Sequence, residues 1–225
     1  MKKALFVLIA GFLLVFSGNA FAFMEVPSYG ATGWQSFTYT FDKAWIGNIG
    51  FGVSNYADQN LDSYLLVDNI QLGSSVTNGS FESGDFTGYA LSGTGSVVTS
   101  ATSYYGTVFT PTNGNYMALL QSEGVDTSYY GGTNGAILMI AGGPVSFGAG
   151  DTVSFNWNFL AGDYVPFQDF AFLIHSSSSV TNDGEEKWDK LAQINAVDNV
   201  VPEPATMSLL GMGLFGLLGL RKRRG

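Results

Sequence analysis

Most of the chain between its two ends consists of short runs in which hydrophobic and polar residues alternate. The clearest run covers residues 152–160, where Val153, Phe155, Trp157 and Phe159 alternate with threonine, serine and asparagine. Because successive side chains of a β-strand point to opposite faces, this alternation predicts a half-buried strand. The same reasoning predicts strands at 36–41, 49–53, 64–72, 116–120, 136–140 and 170–174.

Turn-forming residues separate these runs, and no long segment has the 3.6-residue period of an amphipathic helix. The chain contains 30 glycines in 225 residues, and glycine, asparagine and serine bound most of the runs. A flexible low-complexity chain is one interpretation of so much glycine, but 46% hydrophobic residues in alternating order argue against disorder. The pattern therefore predicts an all-β fold, a β-sandwich, for the body of the chain.

The N-terminal segment 1–22 has the three parts of a secretory signal peptide. Lys2 and Lys3 form a basic start, residues 4–16 are apolar, and Ala20 and Ala22 form an A-x-A cleavage site. A membrane helix is the alternative, but so short an apolar run followed by small residues fits a signal peptide better. Cleavage by signal peptidase after Ala22, and hence export, is predicted.

The C-terminal segment 201–225 combines a proline motif, an apolar run and a basic end. The run at 205–220 carries no charge and would cover roughly 24 Å as a helix, against about 30 Å of hydrocarbon core. Because basic residues favour the cytoplasmic side, one transmembrane helix with its C-terminus inside is predicted. The flanking residues are Val201, Pro202, Glu203 and Pro204 before the run and Arg221, Lys222, Arg223 and Arg224 after it.

The order of these features in 201–225 resembles the PEP-CTERM sorting tail of Gram-negative bacteria, also known as an ice-binding-protein C-terminal motif. The resemblance implies that a membrane transpeptidase, exosortase, cuts near Pro-Glu-Pro and passes the protein to the cell surface or to exopolysaccharide. Before that cut, the tail would anchor the precursor in the inner membrane. An ordinary tail anchor that is never cut is the alternative. Ice binding is not favoured, since the chain has no regular Thr-x-Thr array.

Composition limits the partners and chemistry of the body. Only Lys43, Lys187 and Lys190 remain once the two ends are set aside, against 18 acidic residues in the whole chain. Such an acidic body repels nucleic acid and anionic lipid, so neither is expected as a partner. Without cysteine the chain has no disulfides or thiol chemistry. The length of residues 23–200 suits one domain with a sizeable core.

Motifs in the middle of the chain carry a second resemblance. The sequence Asn-Gly-Ser-Phe-Glu at 78–82, followed by 84–89, looks like the opening strand of galactose-binding-like jelly rolls, the architecture of many carbohydrate-binding modules. Residues 115–120, 154–160 and 169–172 resemble the exported "choice-of-anchor" domains that often precede PEP-CTERM tails. The resemblance implies a jelly-roll-like β-sandwich.

The order of these motifs departs from the family pattern. Residues 33–37, 51–53 and 65–70 look like closing strands, yet they precede the opening motif. We therefore predict a circularly permuted domain, in which 29–72 supplies the closing strands and 78–195 the opening and central ones. The alternative is that 29–72 is the remnant of a lost upstream copy.

Asp68 is the most informative residue for a metal site. It shares a predicted strand face with apolar residues, where an ionised carboxylate is costly unless it is paired or bound to a cation. In jelly rolls of the resembled type, one carboxylate on the closing strand and one near the opening motif hold a structural calcium ion. The resemblance thus implies Asp68 and Glu82 as ligands, with loop carbonyls from 78–82. The alternative is a partly solvated face on which Asp68 caps a turn through Asn69.

Candidates for catalysis are few. Asp163 and Asp169 flank a predicted loop and could act as acid and base in glycoside hydrolysis, although a loop-capping or surface role is favoured. His175 is the only histidine, and without a G-x-S-x-G turn it is expected to be structural. An acidic stretch is predicted as a solvated loop, with weak cation binding as the alternative. Its members are Asp183, Glu185, Glu186 and Asp189.

Two tyrosine pairs stand beside glycines in predicted loops. They are Tyr104 with Tyr105 and Tyr129 with Tyr130. Exposed rings there could stack on the apolar faces of sugars, so all four are predicted to bind glycan, with ordinary loop packing as the alternative.

Together these features predict an exported, non-enzymatic protein of the cell surface or extracellular matrix, as in an exopolysaccharide-rich biofilm. A carbohydrate-binding module and a secreted glycoside hydrolase are the two alternatives. The expected partners are signal peptidase and exosortase during processing, and exopolysaccharide afterwards.

Overall fold

The computed structural model describes residues 23–73, 78–177 and 186–195. The predicted signal peptide at 1–22 and the sorting tail at 201–225 lie outside these residues, as do Asp183 and Glu185. The described part is all-β, with a single 3-10 turn at Ser128–Tyr130. The fold class predicted from the alternation is therefore confirmed.

No helix within the described ranges has the length and apolar character needed to span a membrane.

The strands are short and follow one another closely. In chain order they are β1 (Met24–Val26), β2 (Gln35–Thr40), β3 (Trp45–Ser54), β4 (Tyr64–Leu72), β5 (Tyr89–Ser92), β6 (Thr94–Val98), β7 (Ala101–Thr102), β8 (Val108–Phe109), β9 (Met117–Gln121), β10 (Val125–Asp126), β11 (Asn134–Ile140), β12 (Val145–Phe147), β13 (Thr152–Leu160), β14 (Phe170–Ser177) and β15 (Glu186–Ile194).

Two sheets and a small ribbon contain these strands. Sheet A has the order β1-β15-β14-β3-β11-β10, and β12 and β5 pair with its strands β3 and β11. Sheet B has the order β2-β13-β4-β9-β6, while β7 and β8 pair only with each other in the described residues. Strands β1 and β15 run parallel, and the other described pairs are antiparallel.

The segment 29–72 supplies strands to the interior of both sheets. Strand β3 pairs with β14 on one side and with β11 on the other. Strand β4 lies between β13 and β9 in sheet B. These strands therefore join the same two sheets as the strands of 78–195, while the circular permutation itself stays a prediction.

The two sheets share one hydrophobic core, as a β-sandwich requires. Phe51 of sheet A meets Phe155 of sheet B edge to face, with ring centroids 4.8 Å apart. Fully buried residues of this core include Val53, Leu65, Val67, Leu120, Leu138 and Phe159. The inward residues of the alternating runs thus supply the core, which explains why the pattern predicted the strands.

The outer face of sheet A is also covered, by rings that lie on glycines. The ring of Phe172 lies over Gly52, so closely that a Cβ there would be 2.2 Å from Cζ of Phe172. Phe170, Phe172 and Ile174 form a second cluster, against which Trp188 packs. Because both faces of β14 are buried, its sequence is a nearly continuous hydrophobic run rather than an alternating one.

Strand β15 corrects one prediction. The acidic stretch that includes Glu186 and Asp189 was expected to be a solvated loop, but β15 begins at Glu186 and pairs with β14. The hydrophobic residues Leu191, Ala192 and Ile194 of this strand are fully buried. The charged residues at the start of β15 made the segment look like a loop, whereas the buried residues at its end attach the strand to the core.

The outer face of sheet B carries a third cluster, of Leu66, Met117, Leu160 and Ala101. Trp34 and Phe109 pack against this cluster, and Trp34 Nε1 donates to the carbonyl of Thr110 at 3.0 Å. The ribbon of β7 and β8 is thereby held over sheet B. This position matters because the turn between β7 and β8 carries Tyr104 and Tyr105.

Candidate functional site

Four tyrosines form a connected cluster of rings at the surface. The Tyr29 ring stacks on the Tyr104 ring, with centroids 4.1 Å apart, and its centroid lies 5.8 Å from that of Tyr164. Tyr105 meets Tyr104 edge to face at 5.3 Å. The exposed fractions of Tyr104, Tyr105 and Tyr164 are 64%, 71% and 41%. We call Tyr29, Tyr104, Tyr105 and Tyr164 the tyrosine platform.

Three separate loops bring the platform together. Tyr104 and Tyr105 lie in the tight turn between β7 and β8. In this turn the N–H of Thr107 donates to Ser103 Oγ at 3.1 Å, and the N–H of Gly106 donates to the carbonyl of Ser103 at 2.9 Å. The N–H of Tyr29 donates to the carbonyl of Asp163 at 2.9 Å, which ties the loop after β1 to the loop that carries Tyr164.

Tyr29 adopts an uncommon backbone conformation. Its φ is 59°, in the left-handed region that costs a non-glycine residue roughly 1–2 kcal/mol. The bond from its N–H to Asp163 and the stacking of its ring on Tyr104 hold it there. Strain of this kind often marks a functional position. Burial, followed by Tyr104 and Tyr164, raises the pKa of Tyr29, so its phenol keeps its proton and remains a hydrogen-bond donor.

The second predicted pair divides between the surface and the core. Tyr129 is 63% exposed, but Tyr130 is only 7% exposed and stacks on Phe172 at 4.6 Å. This corrects the expectation that Tyr130 is exposed in a loop. The 3-10 turn at Ser128–Tyr130 directs the two neighbouring rings differently, and the outer face of sheet A takes up the second ring.

An open groove of about 720 Å³ is lined in part by Ser128, the sequence neighbour of Tyr129. Polar side chains from the loops after β3, β9 and β10, from β10 itself and from the start of β11 line most of it. They are Gln59, Glu123, Asp126, Ser128, Thr133 and Asn134. The N–H of Ser128 lowers the pKa of Asp126, so this carboxylate stays ionised in the groove. The groove could hold polar groups such as sugar hydroxyls.

The predicted catalytic aspartates are both inside the protein. Asp163 is 1% exposed and Asp169 is 0% exposed. Asp169 accepts from Ser63 Oγ at 2.7 Å and from the N–H of Tyr56 at 3.0 Å. Burial raises its pKa to about 8 and also raises the pKa of Asp163. Neither carboxylate is placed to touch a substrate on the surface.

The predicted calcium ligands Asp68 and Glu82 both bind one short segment, residues 112–116. Oδ2 of the buried Asp68 accepts from Thr112 N, Thr112 Oγ1 and Asn113 N at 2.6, 2.7 and 2.9 Å. Oε1 of Glu82 accepts from the N–H groups of Asn115 and Tyr116 at 2.8 and 2.9 Å. A cation at these carboxylates would compete with the donors. Calcium binding there stays a prediction.

His175 pairs with Asp189 across β14 and β15. Its Nε2 lies 2.9 Å from Asp189 Oδ2, and the two side chains are 37% and 51% exposed. The pair is an ordinary cross-strand contact at the surface. The described ranges contain no group of three or more histidine, cysteine or acidic side chains arranged to hold a metal ion.

Residues 200–224 match the PEP-CTERM protein-sorting motif. No curated protein and no solved structure matches the chain significantly. The PEP-CTERM match supports an exported protein that passes through the membrane and is sorted to the cell surface by exosortase. It covers only the end of the chain, so the chemistry of the body has to be inferred from its own residues.

Two of the four platform tyrosines were predicted from the sequence. Tyr104 and Tyr105 were predicted as glycan ligands, whereas Tyr29 and Tyr164 were not. Tyr29 was missed because its loop lies far upstream of Tyr104 in the sequence and no local pattern links the two. Its place beside Gly30 resembles that of the predicted tyrosine pairs and was the only available signal.

Proposed function

We propose that this chain is a non-enzymatic protein of the cell surface or extracellular matrix that binds polysaccharide through the tyrosine platform. The observation that carries the proposal is the joined, largely exposed set of rings at Tyr29, Tyr104, Tyr105 and Tyr164. Export and sorting by exosortase, which the PEP-CTERM match supports, would place the platform among the polysaccharides outside the cell.

Exposed rings of this kind are suited to sugars. An aromatic ring stacks on the apolar C–H face of a pyranose, and its phenol bonds the hydroxyls around the rim. Connected apolar patches on a soluble protein usually mark a binding surface, because isolated exposed rings are common and joined ones are not. A repeating polymer can engage several rings at once, which raises avidity without any single strong contact.

The charge of the body narrows the ligand class. Asp163 precedes Tyr164 in the chain and contributes to the raised pKa of Tyr29, while the body as a whole is strongly acidic. An anionic polysaccharide would be repelled unless cations intervened, whereas a neutral one would not. We therefore propose a neutral polysaccharide as the preferred ligand.

Burial of the two candidate catalytic carboxylates supports a binding role over hydrolysis. A glycosidase needs two carboxyl groups that reach both sides of a scissile bond. Asp163 and Asp169 are almost fully buried. Their carboxylates accept hydrogen bonds from residues of the surrounding loops, Tyr164 and Ser63 respectively. No cofactor is needed for binding by stacking.

The groove lined by Asp126 and Ser128 is a second candidate site for the same ligand class. Its amide, hydroxyl and carboxylate side chains are those that bond sugar hydroxyls. The platform has four joined rings, whereas no aromatic residue lines the groove, so we rank the platform first.

Binding of glycan to matched tyrosine variants tests the proposal. The processed chain, purified from the cell surface, is mixed with the cells' own exopolysaccharide and with a panel of neutral and acidic polysaccharides, and bound protein is measured. We expect Tyr104→Ala with Tyr105→Ala to weaken binding by about tenfold or more, since two of the four platform rings are removed. Tyr129→Ala is the matched control, an exposed tyrosine outside the platform.

Three results are informative. Retained binding in the double variant but lost binding in Gln59→Ala, which changes a residue that lines the groove, would assign the glycan to the groove instead of the platform. No binding by the parent chain to any polysaccharide would contradict the proposed function. Release of sugar by the parent chain would contradict the proposal that the protein is not an enzyme.

A further inference from the structure

Three carboxylates are close enough to affect one another's pKa, where the loop after β3 meets the loop after β13. They are Asp58, Asp163 and Asp169. Ser63 joins the two loops, because its Oγ donates to Asp169 Oδ2 at 2.7 Å and accepts from Gly162 N at 3.0 Å. The loops are in direct contact there, since a Cβ on Gly162 would lie 1.8 Å from the carbonyl oxygen of Asp62.

Two oxygen atoms of this cluster are buried without a partner. Oδ2 of Asp163 and Oδ1 of Asp58 accept no hydrogen bond from the described residues. Asp163 is 1% exposed, and its other oxygen accepts only the N–H of Tyr164, at 2.7 Å. Buried oxygens without a donor are rare in folded proteins and are costly when ionised.

The charges that act on the cluster are all negative. Asp58 raises the pKa of Asp163, and both raise the pKa of Asp169, in each case adding to the effect of burial. No described lysine is among the groups that shift the pKa of Asp163 or Asp169. Two neutralising partners remain for such a cluster, a proton or a cation from solvent.

We propose that Asp58 and Asp163 bind one divalent cation of the calcium class through their unpartnered oxygens. The donor set consists of oxygen, without histidine or cysteine, which favours calcium over zinc or copper. Calcium takes six to eight oxygen ligands, so two carboxylates with carbonyls and water suffice. Asp169 already accepts two hydrogen bonds and acts as a positioning residue that adds negative charge.

This site is separate from the predicted one at Asp68 and Glu82. Those carboxylates are supplied with donors by residues 112–116, whereas Asp58 Oδ1 and Asp163 Oδ2 are not. The carbonyl of Asp163 accepts the N–H of Tyr29, and Asp163 precedes Tyr164, so a bound cation would also fix two platform residues. The proposal does not depend on glycan binding, and its test uses none.

Calcium titration of the chelator-treated chain tests the site. Heat of binding and thermal unfolding are followed for the parent chain, and terbium emission sensitised by the tyrosines gives an independent signal for the same site. We expect one site with a Kd of about 10⁻⁴–10⁻³ M, the range of extracellular calcium modules, and a rise of Tm with calcium. Asp163→Asn and Asp58→Asn should each weaken binding by about tenfold or more.

Two further variants locate the site. Asp42→Asn, an exposed aspartate elsewhere, should bind as the parent does. Asp68→Asn should also bind normally, and loss of the calcium response in that variant alone would move the site to Asp68 and Glu82 and overturn the proposal. A parent chain that binds no calcium, with a higher Tm in Asp163→Asn, would show that a proton neutralises the cluster and would equally overturn it.

Discussion

Two acidic regions of the molecule are alike in composition and opposite in hydrogen bonding. Asp68 is fully buried, yet its two oxygens accept four hydrogen bonds, from Asn69, Thr112 and Asn113. Asp163 is buried to nearly the same degree, and its carboxylate accepts one hydrogen bond, from Tyr164. The difference shows that burial of a carboxylate does not by itself indicate a metal ligand. What distinguishes the two carboxylates is the number of hydrogen-bond donors that reach them.

The pKa shifts follow the same division. The N–H groups of Tyr116 and Asn115 lower the pKa of Glu82, which stabilises its ionised form. Burial raises the pKa of Asp163 and Asp169, whose few donors do not compensate. Glu82 therefore stays ionised and helps to anchor the loop at 112–116, whereas the second region carries charge that needs a partner.

Removal of the Asp68 carboxylate should have the largest effect. Asp68→Ala leaves the N–H groups of Thr112 and Asn113 without their acceptor, and each stranded donor costs about 1–3 kcal/mol. We expect a loss of about 3 kcal/mol or more in the free energy of unfolding, measured in urea. Asp68→Asn keeps one acceptor oxygen and should lose less. A loss below about 1 kcal/mol in Asp68→Ala would contradict the anchoring role.

The pH dependence of stability should reveal Asp169. Its folded pKa of about 8 lies above the unfolded value of about 3.9, so the folded state binds the extra proton between these limits. Stability of the calcium-free chain should therefore fall as pH rises from about 5 to about 8, and Asp169→Asn should flatten this slope. Carboxylates with lowered pKa, such as Glu82, act only below this window. Chemical unfolding at several pH values measures the slope, and an unchanged slope in Asp169→Asn would refute the assignment.

A smaller effect is expected at the loop that Glu82 holds. Gly114 has a φ of 75°, and a Cβ there would lie 2.3 Å from the Glu82 carboxylate. Gly114→Ala should cost about 2 kcal/mol, from backbone strain plus displacement of this carboxylate. Gly106→Ala is the matched control, because Gly106 has a φ of 84° with open space around it. Equal losses in the two variants would mean that the contact with Glu82 contributes nothing.

The alternation of residues was enough to predict the all-β fold and several strands. Predicted strands at 152–160 and 64–72 coincide with β13 and β4, because strand periodicity is local and one face of each meets the core. Strand β15 was missed, since charged residues occupy its first half and its pairing with β14 is set by distant residues. Pattern reasoning could not foresee that contact.

The site was less accessible to sequence reasoning than the fold. The difference between Tyr129 and Tyr130 depends on Phe172, which is distant in sequence, and no local feature distinguishes the two rings. Asp163 was noted as a possible catalyst, but its lack of donors depends on how two loops meet. Tertiary contacts of this kind are decided by the whole fold and not by spacing.

Intact mass of the chain recovered from the cell surface tests the central claim most directly, because it reports export and tail processing together. The account predicts a chain that begins at Phe23 and ends near residues 201–204, so that the acidic β-sandwich with its tyrosine platform is outside the cell. A soluble cytosolic chain that still carries residues 1–22 and 221–224 would contradict it.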